Sequence, residues 1–189
     1  MNLAFNFNDE LFWIHNFLPK KLYEKMYIEY IKNIKNLNFK KTIVNWNTFN
    51  GEPENMSESF GQTKEKEDVD KINFFLKEYH ILLRHQKFVS LINSEFSSHL
   101  RKWKYMEHLT WHNDAYHESA ERNYAATYYF NKTWKESWGG ELMFKSSNGS
   151  GFIPVKGNSI VIIKAGLKHK VNPNLNKNYP RLSVQTWII

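Results

Sequence analysis

Residues 158–171 read Asn158-Ser159-Ile160-Val161-Ile162-Ile163-Lys164-Ala165-Gly166-Leu167-Lys168-His169-Lys170-Val171. The run Ile160 to Ile163 is far too short to span a bilayer and fits a buried strand. Gly166 interrupts the pattern, and a second short strand is expected at 168–172. Working outward, further strands are expected at 103–112, 124–131, 141–145, 158–164 and 181–189. Gly139-Gly140, Asn148-Gly149, Gly157-Asn158, Gly166 and Pro180 stand between them or at their ends. Several short strands separated by turn signals point to a sandwich or barrel-like core.

Upstream of Arg101 the period changes. Residues 11–17 read as a first strand, and Leu18-Pro19 opens a helix to about Asn36. Leu22, Met26, Tyr27, Tyr30, Ile31 and Ile34 recur on it at helical spacing. The polar stretch 50–67 is long enough for a lid or binding loop. Asp68 is placed to cap a helix with Val69, Ile72, Leu76, Tyr79 and Leu83 on its apolar face. A third helix is expected to carry Phe88, Leu91, Ile92 and Phe96. The 189 residues therefore read as one domain, mainly β with flanking helices (α+β). In it, residues 1–100 give helical support and the lid loop, and residues 101–189 form the β core.

Composition narrows the chemistry. There is no cysteine, which excludes disulfide scaffolds, thiolate metal sites and Cys nucleophiles. Aromatic residues at 16% exclude a disordered chain. A net charge of +7 admits nucleic acid or an acidic partner, but the basic residues are scattered, as on a solvated Lys-rich surface. The N-terminal ten residues carry acids where a secretory signal needs a basic start, so a cytoplasmic protein without membrane contact is expected.

Without cysteine, any metal must be held by His, Asp or Glu. His112-Asn113-Asp114 places an imidazole and a carboxylate two apart, on one side of a strand. His169, after the apolar strand, supplies a second imidazole. Two His and one carboxylate form the facial triad of non-haem Fe(II) oxygenases, leaving positions open for a chelating cosubstrate and dioxygen. A dianionic cosubstrate needs a cation at its far end, and Arg181 can pair with a carboxylate in bidentate fashion. Ser183 shares its strand face and could add a hydroxyl.

The stretch from His112 to Trp187 resembles the Fe(II)/2-oxoglutarate-dependent dioxygenases, and within them the prolyl 4-hydroxylase-like branch. The likeness rests on His112-Asn113-Asp114, Arg122, Tyr128-Tyr129-Phe130-Asn131, Trp134 and Gly139-Gly140-Glu141-Leu142. It continues through His169-Lys170-Val171 and Arg181-Leu182-Ser183 to Trp187. Asn16-Phe17-Leu18-Pro19 is similar to the family's N-terminal strand-to-helix junction. The resemblance implies a double-stranded β-helix (jelly-roll, cupin-like) core with N-terminal supporting helices. It implies Fe(II) on His112, Asp114 and His169, with 2-oxoglutarate as cosubstrate, O2 as oxidant and ascorbate as a candidate reductant. Arg181 would pair with the 5-carboxylate, and Tyr129 would donate its hydroxyl to the same group. Tyr105 is the nearest match to a further cosubstrate-binding tyrosine of the family, although its strand parity is wrong for facing His112 unless a bulge intervenes. His108 is expected in the pocket wall and His117 in a loop near the mouth.

The activity so implied is hydroxylation of a C–H bond coupled to decarboxylation of 2-oxoglutarate to succinate. Retention of Asp114 favours hydroxylation over halogenation. A protein or peptide substrate, as for a peptidyl-prolyl hydroxylase, leads; a free amino acid or other small molecule remains open. Nucleic acid is disfavoured, because the demethylase branch carries a second arginine shortly after the first, and Leu182 to Ile189 contain none. A non-catalytic, basic β-sandwich binding module is the remaining alternative; it predicts affinity for neither iron nor 2-oxoglutarate.

Overall fold

The computed structural model describes residues 1–33, 76–114, 116–117, 120–121 and 123–189. The expected lid loop 50–67, the cap at Asp68 and the motif residue Arg122 lie outside them. The strands are β1 (Asn2–Phe7), β2 (Leu11–His15), β3 (Phe96–Trp103), β4 (Leu109–His112), β5 (Tyr116–His117) and β6 (Ala120–Glu121). They continue with β7 (Tyr124–Tyr129), β8 (Leu142–Ser146), β9 (Gly149–Ile153), β10 (Ser159–Lys164), β11 (Lys168–Val171) and β12 (Arg181–Ile188). Helix α1 spans Lys20–Asn33, and a second helical segment covers residues 76–84.

A six-stranded antiparallel sheet has the order β1-β2-β10-β7-β12-β3, and a four-stranded one β4-β11-β8-β9. This is the jelly-roll arrangement with helices outside. Strand alternation divides the larger sheet into two unlike faces. Phe12, Ile14, Leu100, Ala126, Tyr128, Ile160, Ile162, Leu182, Val184 and Ile188 face outward and bury against Phe17, Met26, Tyr30, Tyr79 and Leu83. This explains the continuous apolar run 160–163. Ile160 and Ile162 pack toward the helices, while Val161 and Ile163 enter a second cluster with Leu11, Leu142, Phe144 and Ile153, between the sheets.

Polar residues fasten these layers. Buried Asn158 accepts from Leu18 N (2.9 Å) and the Tyr128 hydroxyl (3.1 Å), and its amide donates to Leu18 O (2.9 Å). It ties the strand-to-helix junction to the start of β10, and its φ of 54° suits an Asn. Asn131 donates to Pro180 O (2.9 Å) and accepts from Leu182 N (2.7 Å), which locks the first residue of β12 between two anchors.

Three expectations are corrected. Residues 85–95 form turns and bends instead of a third helix, and Phe96 begins β3. Leu91 and Val89 are buried there without helical repetition. The strand expected at 103–112 is two strands, since Lys104 to His108 turn the chain, with Met106 at φ 65°. Two edge strands, β1 and β9, were not foreseen.

Candidate active site

The metal-ligand types converge as the spacing requires. His112, the last residue of β4, pairs across the smaller sheet with His169 on β11. Asp114 lies just past the end of β4, so its carboxylate reaches the imidazoles from the chain leaving the strand and not from the strand itself. Asp114 Oδ2 lies 3.4 Å from His169 Nε2, and Oδ1 lies 3.9 Å from His112 Nε2. One ligand atom from each residue falls within 4.8 Å of the others, and all three side chains are buried.

Both rings are oriented from behind. His112 Nδ1 donates to Thr110 O (2.7 Å), and His169 Nδ1 donates to Leu167 O (2.8 Å). Each Nδ1 thus carries the proton, and each Nε2 presents its lone pair to the centre. Burial depresses the His112 pKa to about 4, helped by the neighbouring His169 and opposed by Asp114. For His169, burial is the largest single influence and lowers the pKa, but the hydrogen bond and charge of Asp114 and the bond to Leu167 O together exceed it, and the net direction is up. A divalent cation at this centre would compete with any proton on His169 and favour both rings in the neutral form. The donor set, two nitrogens and one carboxylate with fixed tautomers, fits Fe(II) with open positions.

The facing sheet supplies the second half of the pocket. Arg181, Ser183, Gln185 and Trp187 point inward from β12, flanked by Tyr129 and Thr127 on β7 and by Trp103, Arg101 and His99 on β3. Arg181 is only 1% exposed, and its guanidinium lies 4.5 Å over the Trp103 ring. Its Nη1 donates to Gly140 O (2.9 Å), while its Nε is buried with no partner among the described residues. The Tyr129 hydroxyl is likewise buried and unpaired among them. Burial depresses Arg181 to about 10, against the pull of Tyr129 and Glu141. Burial also raises the Tyr129 pKa, which Arg181 opposes, so Tyr129 stays a proton donor. Two buried donors without a partner among the described residues call for an acceptor, and a carboxylate would satisfy both.

The turn beneath Arg181 explains Gly139-Gly140. Their φ angles are 66° and 78°, and a Cβ on Gly140 would sit 3.2 Å from Arg181 Cδ. Ser183 accepts from Trp103 Nε1 (3.3 Å), which leaves its own hydroxyl proton to donate.

The structure thus brings His112, Asp114 and His169 together, and Arg181, Tyr129 and Ser183 together opposite them. Tyr105 is not among them: it is 45% exposed in the turn after β3, under the Lys177 ammonium. Trp103, two residues earlier and still on the strand, occupies the inward place. His108 is also turned away, its Nδ1 donating to Met106 O at 2.9 Å in an exposed turn. His117 falls on the short strand β5. Sequence reasoning missed Trp103, Arg101 and the clamp at Asn131. The alternation of Arg101 with Trp103 before the His-x-Asp carried the signal for the first two.

Residues 98–189 match the family model described as the 2OG-Fe(II) oxygenase superfamily. The chain is similar in structure to a Pseudomonas putida prolyl-4-hydroxylase, at 17% identity, covering 95% of this chain and 91% of that one with a TM-score of 0.66. It is similar to a prolyl hydroxylase from Trichoplax adhaerens, solved with a peptide of the hypoxia inducible factor oxygen degradation domain. That match has 13% identity, 96% and 84% coverage and a TM-score of 0.68. The epimerase SnoN from nogalamycin biosynthesis aligns at 9% identity over 96% of this chain and 78% of its own, with a TM-score of 0.64. At such identities the likeness is one of fold. No curated protein matches the chain by sequence.

Proposed function

We propose that the chain is a member of the 2OG-Fe(II) oxygenase superfamily, whose family model residues 98–189 match, and within it a peptidyl-prolyl hydroxylase. The superfamily's cofactors are Fe(II) and 2-oxoglutarate, with O2 as oxidant. The observation that carries the reading is the buried His112, Asp114 and His169 cluster facing the two unpaired donors of Arg181 and Tyr129.

When bound, iron and 2-oxoglutarate supply oxidative decarboxylation to succinate coupled to hydroxylation of a substrate C–H bond. His112, Asp114 and His169 would hold the metal, the two rings presenting Nε2 to it. Arg181 would pair with the 5-carboxylate of 2-oxoglutarate, and the Tyr129 and Ser183 hydroxyls would donate toward the same end. Trp103 and the Gly140 carbonyl hold the guanidinium in register for that contact. The apolar side of the interior, with Val161, Leu142 and Phe144, excludes water around the polar half.

The prolyl-hydroxylase folds among the similar structures favour a peptide substrate; the SnoN likeness favours a small molecule. Anaerobic addition of Fe(II) and 2-oxoglutarate should produce a weak visible charge-transfer band that requires both. His112→Ala, Asp114→Ala and His169→Ala should each abolish the band and turnover. Proline-containing peptides and free proline are then compared by mass. Oxygen gained only by a free metabolite would overturn the peptide reading. Absence of the band in folded wild-type protein would overturn the oxygenase reading, leaving the binding module. No helix among the described residues is long and apolar enough to cross a membrane, and cytoplasmic residence belongs to the same proposal.

A further inference from the structure

Arg181 takes its orientation from two segments far apart in the chain. The Trp103 ring at the end of β3 lies 4.5 Å from the guanidinium carbon, and the Gly140 carbonyl accepts from Nη1 at 2.9 Å. Residues 172–175 continue the chain beyond β11 and its His169, and they bond to both segments. On one side Asn172 N donates to Glu141 O (2.9 Å), Gly140 N to Pro173 O (3.0 Å) and Leu175 N to Trp138 O (2.8 Å), with a bridge between Gly139 and Asn174. On the other, in the turn after Trp103, Met106 N donates to Asn174 O (2.7 Å) and Asn174 N to Glu107 O (3.2 Å).

Asn174 is shared by both sides, and its side chain closes the arrangement. The residue is 1% exposed. Its Nδ2 donates to Trp103 O (3.0 Å) and to Tyr179 O (3.0 Å), and its Oδ1 accepts from Asn176 N (3.0 Å). Both amide hydrogens and the carbonyl oxygen are thus used. Trp103 pairs with Arg181 at the first rung of β12, and Tyr179 lies just before that strand, so one amide joins the ends of both chains that frame Arg181. Packing alone does not ask for an amide here. An apolar side chain would fill the same volume but leave two carbonyls without this donor.

We propose that Asn174 is a positioning residue for cosubstrate binding, holding Arg181 where it meets the distal carboxylate of a dicarboxylic keto acid. This rests on reading the pocket as a 2-oxoglutarate site. Asn174 acts through Trp103 and the Gly139-Gly140 turn and not by contact with the ligand. Its influence is therefore confined to the 5-carboxylate end and does not extend to metal chelation at the other.

Calorimetry with Mn(II) in place of iron and without oxygen tests this with two keto acids, 2-oxoglutarate and 2-oxovalerate (which lacks the 5-carboxylate). Asn174→Ala should weaken 2-oxoglutarate binding by about 10-fold or more, as for partners that orient a metal ligand. The affinities for 2-oxovalerate and Mn(II) should stay at their wild-type values. In an Arg181→Gln background the same substitution should weaken 2-oxoglutarate no further, because its effect passes through Arg181. Asn174→Ser keeps one donor and should recover part of the loss; it also carries the comparison if the Ala variant does not fold. Unchanged 2-oxoglutarate affinity in a folded variant, or equal weakening of both keto acids, makes Asn174 a brace of the fold alone and overturns the proposal. A wild type that binds 2-oxoglutarate no more tightly than 2-oxovalerate, or not at all, overturns the reading beneath it.

Discussion

Replacing Tyr129 with Phe should move stability and cosubstrate binding in opposite directions. The hydroxyl is fully buried and has no partner among the described residues. Leaving a buried polar group unpaired costs about 1–3 kcal/mol. Phe preserves the ring and its packing with Val161 and Leu142 while removing that cost. The ligand-free variant should therefore be as stable as the wild type or more so, by up to about 1–3 kcal/mol. For a chain of this size each kcal/mol corresponds to about 2–4 °C in Tm. With 2-oxoglutarate bound as proposed, the hydroxyl would donate to a carboxylate, a bond to a charged group that contributes about 1.5–3 kcal/mol. The variant should bind 2-oxoglutarate about 10- to 100-fold more weakly, and ligand should raise its Tm less. Differential scanning calorimetry with and without Mn(II) and 2-oxoglutarate, beside direct titration, reads both effects. A ligand-free Tm lowered by several degrees would show that the hydroxyl braces the fold. Unchanged 2-oxoglutarate affinity would show that it does not face the cosubstrate. Either result refutes the reasoning.

Gly140→Ala should cost about 1–2 kcal/mol, because an L-residue is strained at its φ of 78°. It should also raise the 2-oxoglutarate concentration needed for half-saturation, since the new Cβ meets Arg181 Cδ and the carbonyl that holds Nη1 shifts. Asn158→Ala removes three hydrogen bonds at a buried position and should destabilise the protein by about 2–4 kcal/mol, read by urea unfolding. Its metal and cosubstrate affinities should persist, because the residue braces the outer face. His80 gives a pH signature: burial and then Arg84 lower its pKa from 6.5 to about 4 while Nε2 is bonded to the Ser98 hydroxyl. Its contribution is therefore complete above pH 6.5 and lost as pH falls toward 4, where the unfolded chain takes up the proton first. The Tm difference between wild type and His80→Gln should shrink over that interval; a constant difference would sink the assignment.

The strand that buries both faces was readable, because Ile160 to Ile163 have no face left for solvent. The residue types of the His112, Asp114 and His169 cluster were readable because a metal site without cysteine needs His or a carboxylate at fixed spacing. Edge strands were harder, since backbone pairing on one side suffices there. β9 is Gly149-Ser150-Gly151-Phe152-Ile153, where Gly151 makes room for the Phe144 ring: a Cβ would stand 2.8 Å from its Cζ. β1 did carry a signal, the alternation of Leu3, Phe5 and Phe7. The helix expected around Phe88 failed for another reason. Four apolar residues fit a helical period by chance, whereas Val89 and Leu91 bury from an irregular segment. Tyr105 failed through the turn at 104–108, whose position no residue pattern before the His-x-Asp announced. Trp103, still on the ladder with Arg181, inherits the inward direction.

The larger sheet is built like a wall with different trades on its two sides. Side chains toward the helices are mostly apolar and interlocked, with Ser98 and Thr186 bonded to each other and to His80 and Tyr79, so that side carries the mechanical integrity. Those toward the smaller sheet include His99, Arg101, Thr127 and Gln185, of which Thr127 donates to Gln185 at 2.7 Å. Because neighbouring residues on a strand alternate between the sides, a codon change at an inward position leaves the outer packing untouched. A lineage, or a laboratory selection, can therefore rewrite what the interior accepts while the protein keeps folding. New specificities are to be sought first at these inward polar positions, and losses of expression at the outward ones.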